Sequence, residues 1–213
     1  MLRDLIHPIR DGMMVYPGDP GVSIGVGLSL AKDGVEVARI EMGSHTGTHV
    51  DAPATPCRMG GGLRRMSLSM SPWARLSCCA LLRRVPARRM GSRSRRFDGG
   101  AVPDALPRIV IVDAGRAQWF GSERALRHPF MSASAARELS GREMRVLALD
   151  TLSPDATGER SSPCTRSCSV GMGRSSRTCA GSKGCRGRVE VGFFPLRLSG
   201  DGASVRAIAF GKG

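Results

Sequence analysis

Alternation of apolar and polar positions predicts that much of this chain is β-sheet. Loose alternation over residues 22–30 and 35–40 predicts two strands, each with one buried face. Residues 2–9 predict a short opening strand, and residues 189–198 and 204–210 predict a closing pair of strands.

Residues 108–113 and 145–150, each with four consecutive apolar residues between an Arg and an Asp, predict buried strands in the middle of the chain. Between them, residues 132–139 predict a short helix that Ser132 caps and Gly141 ends. A strand–helix–strand order favours a parallel crossover unit. The sequence therefore predicts an α/β fold with much sheet.

Length and composition indicate one globular domain over residues 1–213. Apolar residues make up 41% of the chain and charged residues 23%, and no apolar run reaches membrane-spanning length, so a membrane partner is not expected. The first residues show no apolar leader, so we expect a cytoplasmic protein. Aromatic residues make up only 4%, which disfavours a stacking surface for single-stranded nucleic acid.

The net charge of +14 originates in two anomalous segments. Residues 55–96 contain 11 arginines, residues 160–188 contain 7 Arg or Lys, and neither segment contains Asp or Glu. All 7 cysteines also lie in these segments. The rest of the chain carries more acidic than basic side chains, so ordinary sequence is interrupted twice by Arg/Cys-rich sequence.

Three interpretations compete for the two segments: basic inserts that bind nucleic acid, cysteine-based metal sites, or sequence translated in the wrong frame. The cysteine spacings match no zinc ribbon or finger, and neither segment contains histidine, which disfavours the metal sites. A flexible Arg/Ser segment usually has less Met, Leu and Cys, but a basic insert stays open as an alternative.

The candidate metal ligands are His45, His49 and Asp51, in a stretch whose glycine and β-branched residues favour an extended strand or loop. On an extended chain, positions of equal parity project to one side. Two imidazoles and one carboxylate suit zinc, and also manganese or iron, with a position left for a water whose pKa the ion lowers. The alternative is two exposed loop histidines beside a turn-forming aspartate.

Four other side chains are weaker candidates. We interpret His7, on the opening strand, and His128, in a loop, as structural residues. Tyr16, in a turn over residues 16–20, is either a surface residue or a ring that faces substrate. Asp150 ends a strand, where sites of α/β proteins often lie, or it caps the turn that follows.

Residues 45–53 resemble the motif His-x-Gly-Thr-His-x-Asp-x-Pro of the cyclase-like metal hydrolases, the family of bacterial kynurenine formamidase, a tryptophan-catabolism enzyme. Residues 16–19, 149–155 and 189–196 are similar to the family too. The resemblance implies a swivelling β/β/α fold, a homo-oligomer and a two-metal site. It implies metal ligation by His45, His49 and Asp51, and substrate binding by Tyr16, which stands where the formamidase tends to have Trp.

The chain departs from the family pattern inside the two anomalous segments. Thr55 stands where the family has the histidine that moves the proton, so no catalytic residue is identifiable. The His and Glu that complete the second metal site should fall near Thr165 and Arg177, and neither is present.

A change of reading frame explains these gaps together. With permitted codons, reading from the third base of the codon for Ala54 gives histidine at the position of Thr55. The same register gives histidine at Thr165 and glutamate near Arg177. We therefore interpret both segments as frame-shifted or disordered, the alternative being a diverged homologue with two basic insertions.

These observations lead to two functional hypotheses. The first is a metal-dependent hydrolase of an amide, formamide or cyclic amide, impaired by the missing residues. The second, from a different class, is a non-catalytic basic protein that binds RNA or another polyanion through its Arg-rich segments. The low aromatic content and the confined charge make nucleic acid the less expected partner.

Overall fold

A computed structural model describes residues 2–51, 106–131, 146–158 and 188–210, with shorter stretches at 76–83, 96–97, 100–101, 139, 141–142, 144 and 169–171. In these residues the strands are β1 (Leu2–Asp4), β2 (Ser23–Leu28), β3 (Val37–Glu41), β4 (His49–Asp51), β5 (Leu76–Arg83), β6 (Arg96–Phe97), β7 (Gly100–Ala101), β8 (Ile109–Asp113), β9 (Val146–Leu149), β10 (Ser169–Gly171), β11 (Arg188–Pro195) and β12 (Gly202–Phe210). A four-residue helix, α1 (Leu30–Asp33), and two 3₁₀ turns (Ala117–Trp119 and Glu123–Leu126) complete the described elements.

Eight strands form the main sheet in the order β1-β12-β11-β5-β8-β9-β10-β4. Strand β4 also pairs with β12, so the order closes on itself. Strands β5, β8, β9 and β10 run parallel, and the other pairs are antiparallel. Because of this closure, the N-terminal half of β12 lies beside β4, where the candidate metal ligands are found.

The parallel crossover predicted in the middle of the chain is confirmed at its two strands. Strands β8 and β9 pair in parallel, with Ile109 opposite Val146, and all of β9 is buried. Such doubly covered strands have continuous apolar sequence, which is why residues 108–113 and 145–150 could be recognised. Of the predicted helix, residues 132–138 lie outside the described residues, and Leu139 is helical and buried.

Alternate side chains of β8 belong to two separate apolar clusters, as expected when successive residues point to opposite faces. Ile109 and Ile111 pack in a cluster with residues of β4, β9, β11 and β12. Val110 and Val112 pack in the other cluster with Leu139, Met144 and their neighbours. The sheet is therefore covered on both faces at this point, which fits the predicted α/β class.

The closing pair of strands is confirmed, and the opening strand is shorter than predicted. Strands β11 and β12 pair antiparallel, with Val191 opposite Ala209. Strand β1 ends at Asp4, and the chain then leaves the sheet. Two further sheet strands, β5 and β10, come from the Arg/Cys-rich segments.

Strands β2 and β3 form a separate antiparallel ribbon, as their alternation predicts, but the expectation of one buried face is wrong. Val26 is 76% exposed and Ile40 is 59% exposed. Alternation identifies two faces, but a face is buried only when another layer packs on it, and the described part of the chain supplies none. No described helix has the length and apolarity needed to cross a membrane.

Candidate metal centre

The candidate ligands lie on strand β4 and on the loop that enters it. Gly47 adopts φ of +62°, a left-handed conformation that turns the chain between the two histidines. Thr46 and Thr48 on either side are buried. In the ladder with β12, His49 pairs with Ser204 and Asp51 pairs with Gly202. The prediction of a loop or strand over residues 44–51 is thus confirmed.

Three potential ligand atoms converge at this point. The His45 Nδ1 atom is 2.8 Å from Asp51 Oδ1, and His49 Nε2 is 3.2 Å from the same oxygen. One ligand atom from each residue lies within 4.8 Å of the others. The structure therefore brings together the three residues that the sequence selected.

The backbone conformation that brings these atoms together differs from the fully extended chain that was expected. His49 and Asp51 do share one face of β4, as equal parity predicts. His45 lies outside the strand, and its ring reaches the same point because the chain bends at Gly47.

Each imidazole has a hydrogen-bond acceptor at the nitrogen that faces away from Asp51, which suits a metal ion at the other nitrogen. His49 Nδ1 donates to the Gly47 carbonyl oxygen at 2.9 Å, which leaves the lone pair of Nε2 facing Asp51. His45 lies between two carboxylates, with Nε2 3.0 Å from Asp201 Oδ2 and Nδ1 2.8 Å from Asp51 Oδ1, so an ion at Nδ1 would leave the proton on Nε2 to be donated to Asp201. The donor set of two nitrogens and one oxygen fits a divalent ion such as zinc.

Electrostatics at His45 are consistent with a cation site. The hydrogen bond to Asp51 is the largest cause that raises the pKa of His45 to about 9, with Asp201 adding to it and burial opposing it. This raised pKa favours the protonated ring, which places positive charge between two carboxylates. A divalent ion can take the place of that proton.

Asp201 was missed by the sequence analysis. It lies 156 residues from His45 and precedes β12, and the Ser44 hydroxyl donates to its Oδ1 at 2.8 Å. Its place at the turn before a closing strand was visible in the sequence. Its proximity to His45 depends on the pairing of β4 with β12, which no local pattern reveals.

A cleft opens beside the candidate metal ligands. Tyr16 lines it, and the Tyr16 hydroxyl accepts a hydrogen bond from the Gly158 N–H at 3.1 Å. The other walls combine ligand, aromatic, apolar and charged residues, namely His7, Met14, Val15, His45, Gly47, His49, Arg116, Ala117, Phe120, Ala125, Asp150, Thr151 and Leu152. The ring assigned to substrate binding thus shares a cleft with two candidate ligands.

The two other histidines occupy different environments. His7 is not on a strand as expected, because β1 ends at Asp4; its ring lines the cleft and stacks on Phe120 with ring centres 4.2 Å apart. His128 is buried outside the cleft, where it donates from Nδ1 to the Pro129 carbonyl oxygen. Burial lowers the pKa of His128 and favours the neutral ring. Thr55, Thr165 and Arg177 lie outside the described residues.

Asp150 is both a wall of the cleft and a cap of the turn after β8. Its carboxylate accepts backbone N–H groups of Ala114, Arg116 and Ala117 at 2.7, 2.6 and 3.3 Å. Burial raises the pKa of Asp150 from 3.8 to about 6, against the opposing effect of these bonds. The turn that carries Arg116 and Ala117 to the cleft is therefore fixed by one carboxylate.

The raised pKa of Asp150 predicts how its contribution to folding changes with pH. Between about pH 3.8 and 6, the folded chain keeps a proton that the unfolded chain has lost, so this contribution to the free energy of unfolding falls as pH rises. Urea unfolding of wild type and Asp150→Asn should show a difference in stability that declines over this window and is constant above it. A difference that grows with pH would contradict the assignment.

Comparison with known proteins identifies the family that the chain matches. A family model described as "Putative cyclase" matches residues 3–156. A kynurenine formamidase of Bacillus cereus is 39% identical over 51 residues, which make up 24% of this chain and 24% of that protein. The match thus spans about a quarter of the length of this curated relative.

Solved structures show the same fold. A predicted metal-dependent hydrolase from Bacillus stearothermophilus has a TM-score of 0.68 at 20% identity, covering 98% of this chain and 97% of its own. Isatin hydrolase A from Labrenzia aggregata has a TM-score of 0.68 at 16% identity, covering 98% and 93%. A structure described as a novel cyclase has a TM-score of 0.73 at 14% identity, covering 98% and 86%. This chain and the first of these proteins thus have nearly equal lengths.

Proposed function

Since the chain belongs to the cyclase family, we propose that it derives from a metal-dependent hydrolase that cleaves the C–N bond of an amide, formamide or cyclic amide. The observation that carries the proposal is the convergence of His45, His49 and Asp51 beside a cleft. The similarity to a kynurenine formamidase and to isatin hydrolase A supports this class of substrate. Family membership also favours a hydrolase over a polyanion-binding protein.

Different residues of the chain would bind the metal ion and the substrate. His45 Nδ1, His49 Nε2 and an oxygen of Asp51 would hold the ion, which supplies a polarising charge and lowers the pKa of water bound to it. Tyr16 and Phe120 give the cleft aromatic walls that suit a planar substrate, such as an aryl formamide or a fused lactam. Arg116 adds a positive charge to the same wall.

The proposal also includes finer assignments. The ligand set favours zinc, with manganese as the alternative. By analogy with kynurenine formamidase, the substrate belongs to tryptophan catabolism, and the protein is cytoplasmic. The exposed apolar side chains of the β2–β3 ribbon, such as Val26 and Ile40, support a homo-oligomer of single-domain subunits.

Metal content tests the proposed site directly. His49→Ala removes one of three converging ligand atoms, and we expect at most one ion per wild-type chain and none retained by the variant after dialysis. The measurement is elemental analysis of zinc and manganese in both purified proteins. His128→Ala, which removes an imidazole outside the cleft, is the control and should keep the wild-type metal content. Equal metal in wild type and His49→Ala would contradict the proposal.

A further inference from the structure

We infer that Asp201 is a positioning residue of the metal centre, which holds the His45 ring so that Nδ1 faces the ion. The inference rests on the proposed metal site and adds to it a residue outside the ligand set. Asp201 is not one of the residues that line the cleft or one of the three converging ligands, and its hydrogen bond to the site is to His45, so its role operates through that ring.

The two nitrogens of His45 face different carboxylates. Nδ1 lies 2.8 Å from Asp51 Oδ1, and Nε2 lies 3.0 Å from Asp201 Oδ2. These atoms are on different edges of the ring, so a ligand role for Nδ1 leaves Nε2–H free to donate to Asp201. A carboxylate that accepts from the second nitrogen of a metal-bound histidine fixes its tautomer and orientation and makes it a stronger ligand.

Backbone pairing fixes the distance between the two carboxylates. Gly202, the residue after Asp201, is directly opposite Asp51 in the ladder of β12 and β4. Asp201 therefore approaches His45 from the turn directly before β12, and Asp51 approaches it from the neighbouring strand β4. The Ser44 hydroxyl donates to Asp201 Oδ1 at 2.8 Å, which leaves Oδ2 aimed at the ring.

This anchoring matters because the Asp201 side chain is 73% exposed. An exposed carboxylate paired with one flexible cation contributes little, since water and salt compete for it. Here the partner is an imidazole that is itself held by Asp51, and the neighbouring residue is part of the sheet. The bond therefore acts on ring orientation, with little effect expected on the stability of the fold.

The experiment measures dissociation constants of Zn²⁺ and Co²⁺ by competition with a chromophoric chelator. Asp201→Ala should weaken the binding of both ions by about 10- to 100-fold, the range found when such partners of metal-bound histidines are removed. Asp201→Asn keeps an oxygen that accepts from Nε2–H and should recover part of the loss. Urea unfolding midpoints of the metal-free proteins should fall only slightly, since Asp201 is an exposed partner of His45 and such pairs contribute little to stability. A small fall beside a large loss of metal affinity separates positioning from a general structural effect.

A matched control and a spectroscopic signature complete the test. Asp4→Ala removes a carboxylate that is 46% exposed and paired with Arg206 at 2.6 Å. Asp4 is opposite Ile208, about 20 Å from Gly202 along β12, so this change should leave metal affinity unchanged. In the Co²⁺ protein, the Nε2–H of His45 should give a shifted, exchangeable proton resonance that Asp201→Ala broadens through faster exchange with water.

The outcomes separate the proposed metal site from the proposed role of Asp201. If His49→Ala loses the metal while Asp201→Ala binds as tightly as wild type, the site stands and the role of Asp201 is wrong. If His49→Ala binds like wild type, both the site and the inference are overturned. Weaker binding by Asp201→Ala, with partial recovery in Asp201→Asn, supports the inference.

Discussion

Gly202→Ala is expected to weaken metal binding on the order of a hundredfold, although the residue has no side chain and donates nothing to an ion. A methyl group at this position would lie 2.7 Å from Cε1 and 3.0 Å from Nδ1 of His45. The methyl group would also lie 3.0 Å from the Val50 carbonyl oxygen, so it cannot move away from the His45 ring toward that part of the backbone. The imidazole must therefore move, and it carries a ligand atom.

Gly200→Ala is the matched control for this prediction. A methyl group at residue 200 would meet only the Gly202 carbonyl oxygen, at 3.8 Å, which is an ordinary contact. Zinc dissociation constants of both variants and wild type, measured with the same chelator, would show whether the space at residue 202 matters. Equal affinity in all three proteins would mean that His45 does not hold the ion in the orientation seen here.

The buried central strands and the ligand cluster were predictable from the sequence because their signals are local. Residues 109–112 and 146–149 are all apolar, as expected for strands that are covered on both faces. His45, His49 and Asp51 lie within seven residues, so their convergence needs only one bend, at Gly47.

The features that sequence did not reveal depend on contacts between distant residues. Asp201 reaches His45 only because β12 pairs with β4. The exposure of Val26 and Ile40 depends on which layer packs against their ribbon, which alternation does not encode. His7 enters the cleft because β1 ends early and its ring stacks on Phe120, more than 100 residues away.

Chain length bears on the origin of the Arg/Cys-rich segments. Residues 55–96 and 160–188 together make up 71 residues, so a family member with both inserted would be much longer than its relatives. The metal-dependent hydrolase with the same fold is instead of nearly equal length. Equal length is what the frame-shift hypothesis expects, because sequence read in the wrong frame replaces family sequence and adds none.

The largest expected difference in activity is between this polypeptide and one translated from a gene repaired in both segments. This chain should hydrolyse aryl formamides, including N-formylkynurenine, at a negligible rate. Thr55 stands where the family has its proton-transferring histidine, and a threonine hydroxyl does not titrate near neutral pH. Loss of such a group typically lowers the rate by about 10²- to 10⁴-fold.

The repaired chain should gain metal-dependent activity because one change of register restores several groups together. With permitted codons, reading both segments from the third base gives histidine at the positions of Thr55 and Thr165 and glutamate near Arg177. The first would move the proton, and the other two would complete a second metal position, adding positive charge where the carbonyl oxygen becomes negative.

Both proteins should be assayed with added zinc or manganese against aryl formamides, lactams and cyclic amides, with chelator-treated samples as the metal-free reference. Repair of the first segment alone should restore the proton-transferring histidine but leave the second metal position incomplete, so its rate should fall between the other two. If the unrepaired chain turns over as fast as the repaired one, the frame-shift hypothesis is wrong. The reaction would then proceed with Thr55 in place and without the imidazole that the family pattern requires.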